Sequence, residues 1–283
     1  MTVARGRKAV RITMALAVVV LHAPGTRAQA IVPLEHAHAH NDYEHARPLM
    51  EALEHGFTSI EADIYLVDGQ LLVAHDRDKV DPARTLESLY LDPLRAIIRQ
   101  RGGSVYGTPY PVTLLIDIKS DSQSTYVVLD SVLRRYADIL TIFADTLVIT
   151  GPVFAVMSGE RALSVARKAR VRFAGLDGRL ADLDSARKFP ARVMPLISDN
   201  WDRVTKWKGE GVPPAHLRAD IERIVARAHR HGQRVRFWAT PDTEAVWAVL
   251  RAAGVDLIGA DDLDGLRGSM LHHDASPAPE LLE

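Results

Sequence analysis

Glu61 and Asp63 are the first residues in this chain whose type and spacing suggest chemistry. They lie in Thr58-Ser59-Ile60-Glu61-Ala62-Asp63-Ile64, where apolar and polar residues alternate. A strand turns successive side chains to opposite faces, so Glu61 and Asp63 share one face and Ile60, Ala62 and Ile64 the other. If the apolar face packs against helices, both carboxylates point into the interior. Two like charges there are costly unless a cation or a proton compensates them. A divalent cation is the natural compensation, and carboxylate oxygens suit Mg²⁺ or Ca²⁺. Leu114-Leu115-Ile116-Asp117-Ile118-Lys119 repeats the pattern. Asp117 is then a third candidate ligand, and Lys119 a positive charge for a phosphate oxygen. The bland alternatives are a solvated edge strand for the first segment and an internal Asp–Lys ion pair for the second.

Histidines flank these strands. His40 follows the first predicted strand, and His75 closes the strand after the carboxylate pair. Histidine is the side chain suited to moving protons near neutral pH, so His40 and His75 are the candidate base and acid. His36, His38 and His40 alternate and are expected to share a strand face. That spacing also fits the His-x-His zinc motif of amidohydrolase-type barrels, which needs further histidines at later strand ends. The later ones fall on a predicted helix (His216, His229, His231) or in the tail (His272, His273), which counts against that reading.

The elements that must position these groups follow from periodicity and turn signals. Strands are expected near 32–38, 58–66, 70–75, 112–119, 153–157, 172–176, 192–197, 234–239 and 255–260. Asp68-Gly69 marks a hairpin between the second and third. Helices are expected over 47–55, 84–100, 122–136, 161–169, 215–231 and 244–253. About eight βα steps result, predicting a (β/α)8 TIM barrel with a small β-hairpin insertion after the second strand. A doubly wound sheet would need a Gly-rich turn after its first strand, and none is present. On this layout Arg179 and Trp201 follow predicted strands. Arg179 is a candidate phosphate contact, while Trp201 and Trp238 are candidate pocket walls.

Arg5, Arg7, Lys8 and Arg11, an apolar run Ile12–Leu21 and Ala28-Gln29-Ala30 have the form of a secretory signal peptide, which places the protein in the periplasm or outside the cell. Residues 1–30 hold five basic and no acidic residues, so their removal takes the net charge from −1 to −6. That argues against a general nucleic-acid binder, which usually carries a basic stripe. It leaves 283 − 30 = 253 residues, the size of one barrel. There is no cysteine, hence no disulfide and no lipidated cysteine anchor. The expected domains are the signal peptide 1–30, a barrel over 31–270 and a disordered tail over 271–283.

These motifs resemble the PLC-like phosphodiesterases, which include glycerophosphodiester phosphodiesterases, phosphatidylinositol-specific phospholipases C and sphingomyelinase D. The nearest branch is the uncharacterised one beginning His-Asn-Asp-Tyr, related to the yeast altered-inheritance-of-mitochondria protein 6 family. GFTSIEAD matches the superfamily's metal strand, which implies that Glu61 and Asp63 are ligands of one divalent cation. AHD matches the second catalytic histidine, His75, and His40-Asn41-Asp42 stands for the usual His-Arg-Gly. Asp117-Ile118-Lys119 is similar to the Asp-x-Lys of sphingomyelinase D. FWATPD and GVDLIGADD resemble the last two barrel strands, with Trp238 in the place of a pocket tryptophan. Asn41 replaces an arginine that contacts phosphate in glycerophosphodiesterases, so Asn41 is a substrate-binding position of altered chemistry, and Lys119 offers the missing charge. The resemblance implies cleavage of a small-molecule or lipid phosphodiester by hydrolysis or by cyclic-phosphate formation. The alternative is an exported binding barrel that keeps the pocket without turnover.

Overall fold

The computed structural model describes residues 31–185 and 189–274. Twelve strands run in chain order: β1 (Leu34–Ala39), β2 (Phe57–Val67), β3 (Gln70–Val73), β4 (Val112–Ile118), β5 (Ile142–Ala144), β6 (Val148–Ile149), β7 (Val153–Gly159), β8 (Val171–Arg172), β9 (Gly175–Gly178), β10 (Leu196–Asn200), β11 (Arg234–Trp238) and β12 (Leu257–Ala260). The helices are α1 (Met50–Glu54), α2 (Asp92–Gln100), α3 (Ser122–Arg134), α4 (Leu163–Ala166), α5 (Leu217–His229), α6 (Glu244–Ala252) and α7 (Leu263–Asp274).

Eight strands pair in parallel in the order β1-β2-β4-β7-β9-β10-β11-β12, and β12 returns to β1, closing the expected (β/α)8 barrel. β3 folds back antiparallel on β2 through Asp68 and Gly69, both at positive φ, as a two-residue hairpin turn requires. A 3-10 turn over Leu180–Ser185 replaces the α-helix between β9 and β10. Among the described residues no helix is long and apolar enough to cross a membrane.

Alternation along each strand sorts two cores. The outward residues Ile60, Ala62, Ile64, Ile116 and Ile118 join the large cluster beneath the helices. Leu115, Val156, Leu196 and Leu257, from four different strands, form a small separate cluster that fills the barrel at mid-height. Below it Arg234 Nη1 donates to Thr113 Oγ1 at 3.1 Å. Above it the inward residues are polar, and this is where the site lies.

Several boundaries differ from the sequence expectation. The strand expected over 172–176 splits: Val171–Arg172 pairs with β5 in a small outer sheet, and the barrel strand is Gly175–Gly178. The strand expected over 192–197 starts at Leu196, because Pro190 and Pro195 hold the preceding segment in a turn, with Val193 N–H on the Pro190 carbonyl. Ser198, Asp199 and Asn200 are therefore strand residues. α7 was not expected, and 271–274 of the segment read as tail belong to it. Residues 275–283, and residues 1–30 on which the signal-peptide expectation falls, lie outside the described residues.

Candidate active site

β2, β4 and β11 build the centre. Glu61, Asp63 and Asp117 each place one carboxylate oxygen so that all three lie within 4.8 Å of one another. In-register pairing of β2 with β4 sets Asp63 directly beside Asp117. Lys119 Nζ bridges them, 3.1 Å from Asp63 Oδ2 and 3.2 Å from Asp117 Oδ1. Gly159 makes room for Asp117: a Cβ at this residue, whose φ is +67°, would collide with Asp117 Oδ1 and the Ile118 carbonyl. Glu61 Oε2 is held by the buried Arg236 at 2.5 Å and by His38 Nε2 at 3.0 Å.

Those partners push the two carboxylates of β2 apart. Burial raises both. The Arg236 charge and the His38 hydrogen bond overcome it for Glu61, whose pKa ends well below the usual carboxylate range. Asp63 keeps the penalty of burial and adds the repulsion of Glu61, and its pKa is pushed up to about 7. Its Oδ1 is buried and has no hydrogen-bond partner among the described residues. Among the described residues three carboxylates face two fixed cations, Arg236 and Lys119. The donor set is all oxygen, and one buried ligand atom is unsatisfied, so these residues fit a hard divalent cation.

The proton-transfer candidates converge on the same cavity of about 480 Å³, lined by His40, His75, Glu61, Asp117, Lys119 and Arg236 among others. His40 Nδ1 lies 2.8 Å from Asp261 Oδ1. Burial lowers the pKa of His40, but the Asp261 hydrogen bond and the Glu61 charge outweigh it, and the net shift is upward. Asp242 in turn accepts the backbone N–H groups of Asp261 and Asp262, at 2.7 and 3.0 Å. His75 is half-exposed, with Nδ1 3.0 Å from Asp76 Oδ1.

Asn41 sits at φ 48°, a conformation that Asn tolerates better than most residues. Its amide lies 3.4 Å from Asp261 Oδ1 and its oxygen 2.7 Å from the Tyr43 hydroxyl, so it braces the loop as well as lining the cavity. Tyr43 also reaches Asp63 Oδ2 at 2.6 Å. Buried Asp42 accepts the Leu49 N–H at 2.6 Å and the Tyr90 hydroxyl at 2.9 Å. Leu49 has φ 65°, ψ −51°, and Met50 N–H bonds the Pro48 carbonyl, which makes a strained γ-turn.

Arg179 lines the far wall. Its Nη1 donates to Asp177 Oδ2 at 2.7 Å, and Ser158 and Ser198 bond the same oxygen at 2.7 and 2.5 Å. Trp238 lines the cavity as expected. Trp201 does not. It is fully buried, stands edge-on to Phe237 and donates Nε1 to the Trp207 carbonyl at 2.8 Å. The 3-10 turn that follows Asn200 carries it into the helix-facing core.

The shared face expected for His36, His38 and His40 also fails as a ligand set. The β1–β2 register shifts between Leu34 and His38. His36 is exposed and bonds the Asp256 carbonyl, whereas His38 is buried between Ser59 and Glu61. Burial and Arg236 lower the pKa of His38 to about 4, so it is neutral and structural. The three-histidine zinc reading is set aside.

Arg236, Asp261, Tyr43 and Asp177 were not assigned roles from sequence. Arg236 was within reach, since Arg234-Val235-Arg236-Phe237-Trp238 alternates and puts Arg236 on the face of Trp238. The others depend on contacts across the barrel mouth.

A closed parallel barrel with carboxylates and histidines gathered at one mouth defines a PLC-like phosphodiesterase barrel of the glycerophosphodiesterase type. Known proteins give the finer placement. Residues 26–174, more than half of the chain, match the AIM6-like phosphodiesterase domain, and residues 234–264 match the glycerophosphoryl diester phosphodiesterase family. The chain belongs to the AIM6-like phosphodiesterase family. It is 30% identical to the altered inheritance of mitochondria protein 6 homolog of Arthroderma benhamiae, covering 85% of each chain. It is 28% identical to altered inheritance of mitochondria protein 6 of Eremothecium gossypii, over 82% of this chain and 69% of that one. A glycerophosphodiester phosphodiesterase from Parabacteroides distasonis shares the fold, with TM-score 0.52, 14% identity and coverage of 85% of this chain and 98% of that one.

Proposed function

We propose that this protein is an exported, divalent-cation-dependent phosphodiesterase that cleaves a P–O bond of a glycerophosphodiester or phospholipid-type substrate. The observation that carries this reading is the buried, unsatisfied Asp63 Oδ1 within a three-carboxylate cluster beside a cavity lined by two histidines. Glu61, Asp63 and Asp117 would hold one Mg²⁺ or Ca²⁺. Such an ion supplies Lewis-acid stabilisation of the charge that develops on a non-bridging phosphate oxygen. Export rests on the basic and apolar pattern of residues 1–30.

His40 acts as the general base. Asp261 accepts the proton on Nδ1, which leaves Nε2 as the basic nitrogen in the neutral ring. His75 acts as the general acid, oriented through Nδ1 by Asp76, and protonates the leaving alkoxide. Lys119 and Arg179 bind phosphate oxygens, and Arg179 replaces from the opposite wall the charge that Asn41 lacks. Its Nε and Nη2 have no hydrogen-bond partner among the described residues, so both remain free for an anion. The nucleophile is water or a neighbouring substrate hydroxyl.

Turnover of bis-p-nitrophenyl phosphate and of glycerophosphodiesters, with Mg²⁺ or Ca²⁺ and with EDTA, tests the proposal. His40→Ala and His75→Ala should each lower kcat by at least ~100-fold. Near-normal turnover by either variant removes that histidine from its role, and EDTA-insensitive turnover removes the cation.

A further inference from the structure

Trp238 and Arg179 stand between two cavities. One is the catalytic cavity, and the other, of about 490 Å³, lies beyond them against the end of β10 and the 3-10 turn that follows it. Both partition residues hold unused hydrogen-bond donors. Arg179 keeps Nε and Nη2 free, and the Trp238 indole N–H has no partner among the described residues. A substrate whose phosphate lies in the catalytic cavity can therefore extend past them into the outer one.

The outer cavity restricts what extends there. An acyl chain finds no aliphatic wall: Ala181 is the one small apolar side chain on that side, and Ile118 the one aliphatic residue on the other. A quaternary ammonium needs several aromatic faces around it. Here Trp238 is the single ring, and Arg179, Arg203 and Lys206 stand near it. A second phosphate would meet the carboxylates of Asp199 and Asp202. A neutral polyol fits all of these constraints, because each hydroxyl both donates and accepts. The cavity alternates the two roles: Arg203 Nε lies 3.1 Å from Asp199 Oδ1, and Lys206 Nζ 3.5 Å from Asp202 Oδ2. The C–H face of a ring can pack on the indole. The acceptors are also fixed in advance. Asp199 Oδ2 takes the Leu180 N–H at 3.1 Å, and the Asn200 side chain caps the Asp202 N–H at 2.7 Å.

We propose that this outer cavity is the headgroup subsite and that it takes a cyclic polyol, an inositol or a hexose, carried on the scissile phosphate. The inference rests on the phosphodiesterase reading above and supplies its substrate class.

The test uses the whole protein with Mg²⁺ or Ca²⁺. kcat/KM is measured for glycerophosphoinositol, glycerophosphocholine and bis-p-nitrophenyl phosphate, which has no polyol. Calorimetry measures the binding of the first two to the inactive His75→Ala protein. Glycerophosphoinositol should be preferred over glycerophosphocholine by at least tenfold in turnover and in binding. The double variant Asp202→Ala/Lys206→Ala should lower the ratio of kcat/KM for glycerophosphoinositol to that for bis-p-nitrophenyl phosphate by at least tenfold. Equal use of the two glycerophosphodiesters, or an unchanged ratio in the double variant, overturns the subsite. If no ester is turned over, the phosphodiesterase reading fails and calorimetry alone judges the subsite. Selective binding of glycerophosphoinositol then upholds it, and its absence overturns it.

Discussion

Replacing Asp63 by asparagine should make the cation-free protein more stable while abolishing its response to cations. Asp63 is fully buried, and its pKa rises from 3.8 unfolded to about 7 folded, through burial and then the Glu61 charge. A raised folded pKa means that the native state binds the extra proton. Stability is then complete below pH ~4 and falls by about 1.4 kcal/mol per pH unit as the pH rises, until the loss is complete near pH 7. From 3.8 to about 7 the loss is roughly 4 kcal/mol at pH 8. The asparagine side chain carries no charge and can still accept from Tyr43. The Lys119 contact that the asparagine loses acts on the charged form and is already contained in the net shift of Asp63. The net expectation is a gain of up to about 4 kcal/mol at pH 8 in EDTA, read by urea denaturation. Added Mg²⁺ or Ca²⁺ should raise the Tm of the natural protein and leave that of Asp63→Asn unchanged. A variant less stable than the natural protein in EDTA at pH 8, or one stabilised equally by cations, refutes the reasoning.

Three further changes probe separate parts of the site. Asp261→Asn removes the charge that holds the pKa of His40 up, so burial acts with less opposition and the pKa falls. Because the base works in its neutral form, the acid limb of the pH–kcat/KM profile should move to lower pH. The plateau should fall about tenfold with the lost charge-assisted hydrogen bond, and an unmoved limb argues against His40 as the base. Gly159→Ala should destabilise the fold by at least about 1–2 kcal/mol from the left-handed backbone alone. It should also weaken divalent-cation binding at least ~10-fold by displacing Asp117, and calorimetric titration with Ca²⁺ or Mg²⁺ checks this. Trp201→Ala should cost about 3–5 kcal/mol of stability, read by urea denaturation. A loss below about 1 kcal/mol would return Trp201 to the pocket wall.

The barrel was largely legible in the chain because each βα step is encoded locally. Alternation over 58–64 and 114–119 set the inward faces, and Asp68-Gly69 set the hairpin. The small sheet of β5, β6 and β8 was missed because its strands are two or three residues long, too short to show a period. Trp201 was misplaced because its neighbourhood ends a strand, and alternation stops predicting direction where a 3-10 turn begins.

By itself the sequence determined which side chains face the barrel interior, and it brought Glu61, Asp63, Asp117, His40 and His75 into one candidate set. Only the tertiary structure decided their protonation and their partners. Arg236 reaches Glu61 from 175 residues away, and Asp261 reaches His40 from 221. Side-chain alternation is a property of a few adjacent residues. A pKa depends on burial and on charges brought close by barrel closure, and closure joins the last strand to the first. The same closure left Asp63 Oδ1 without a partner among the described residues and set Arg179 across the cavity from Asn41.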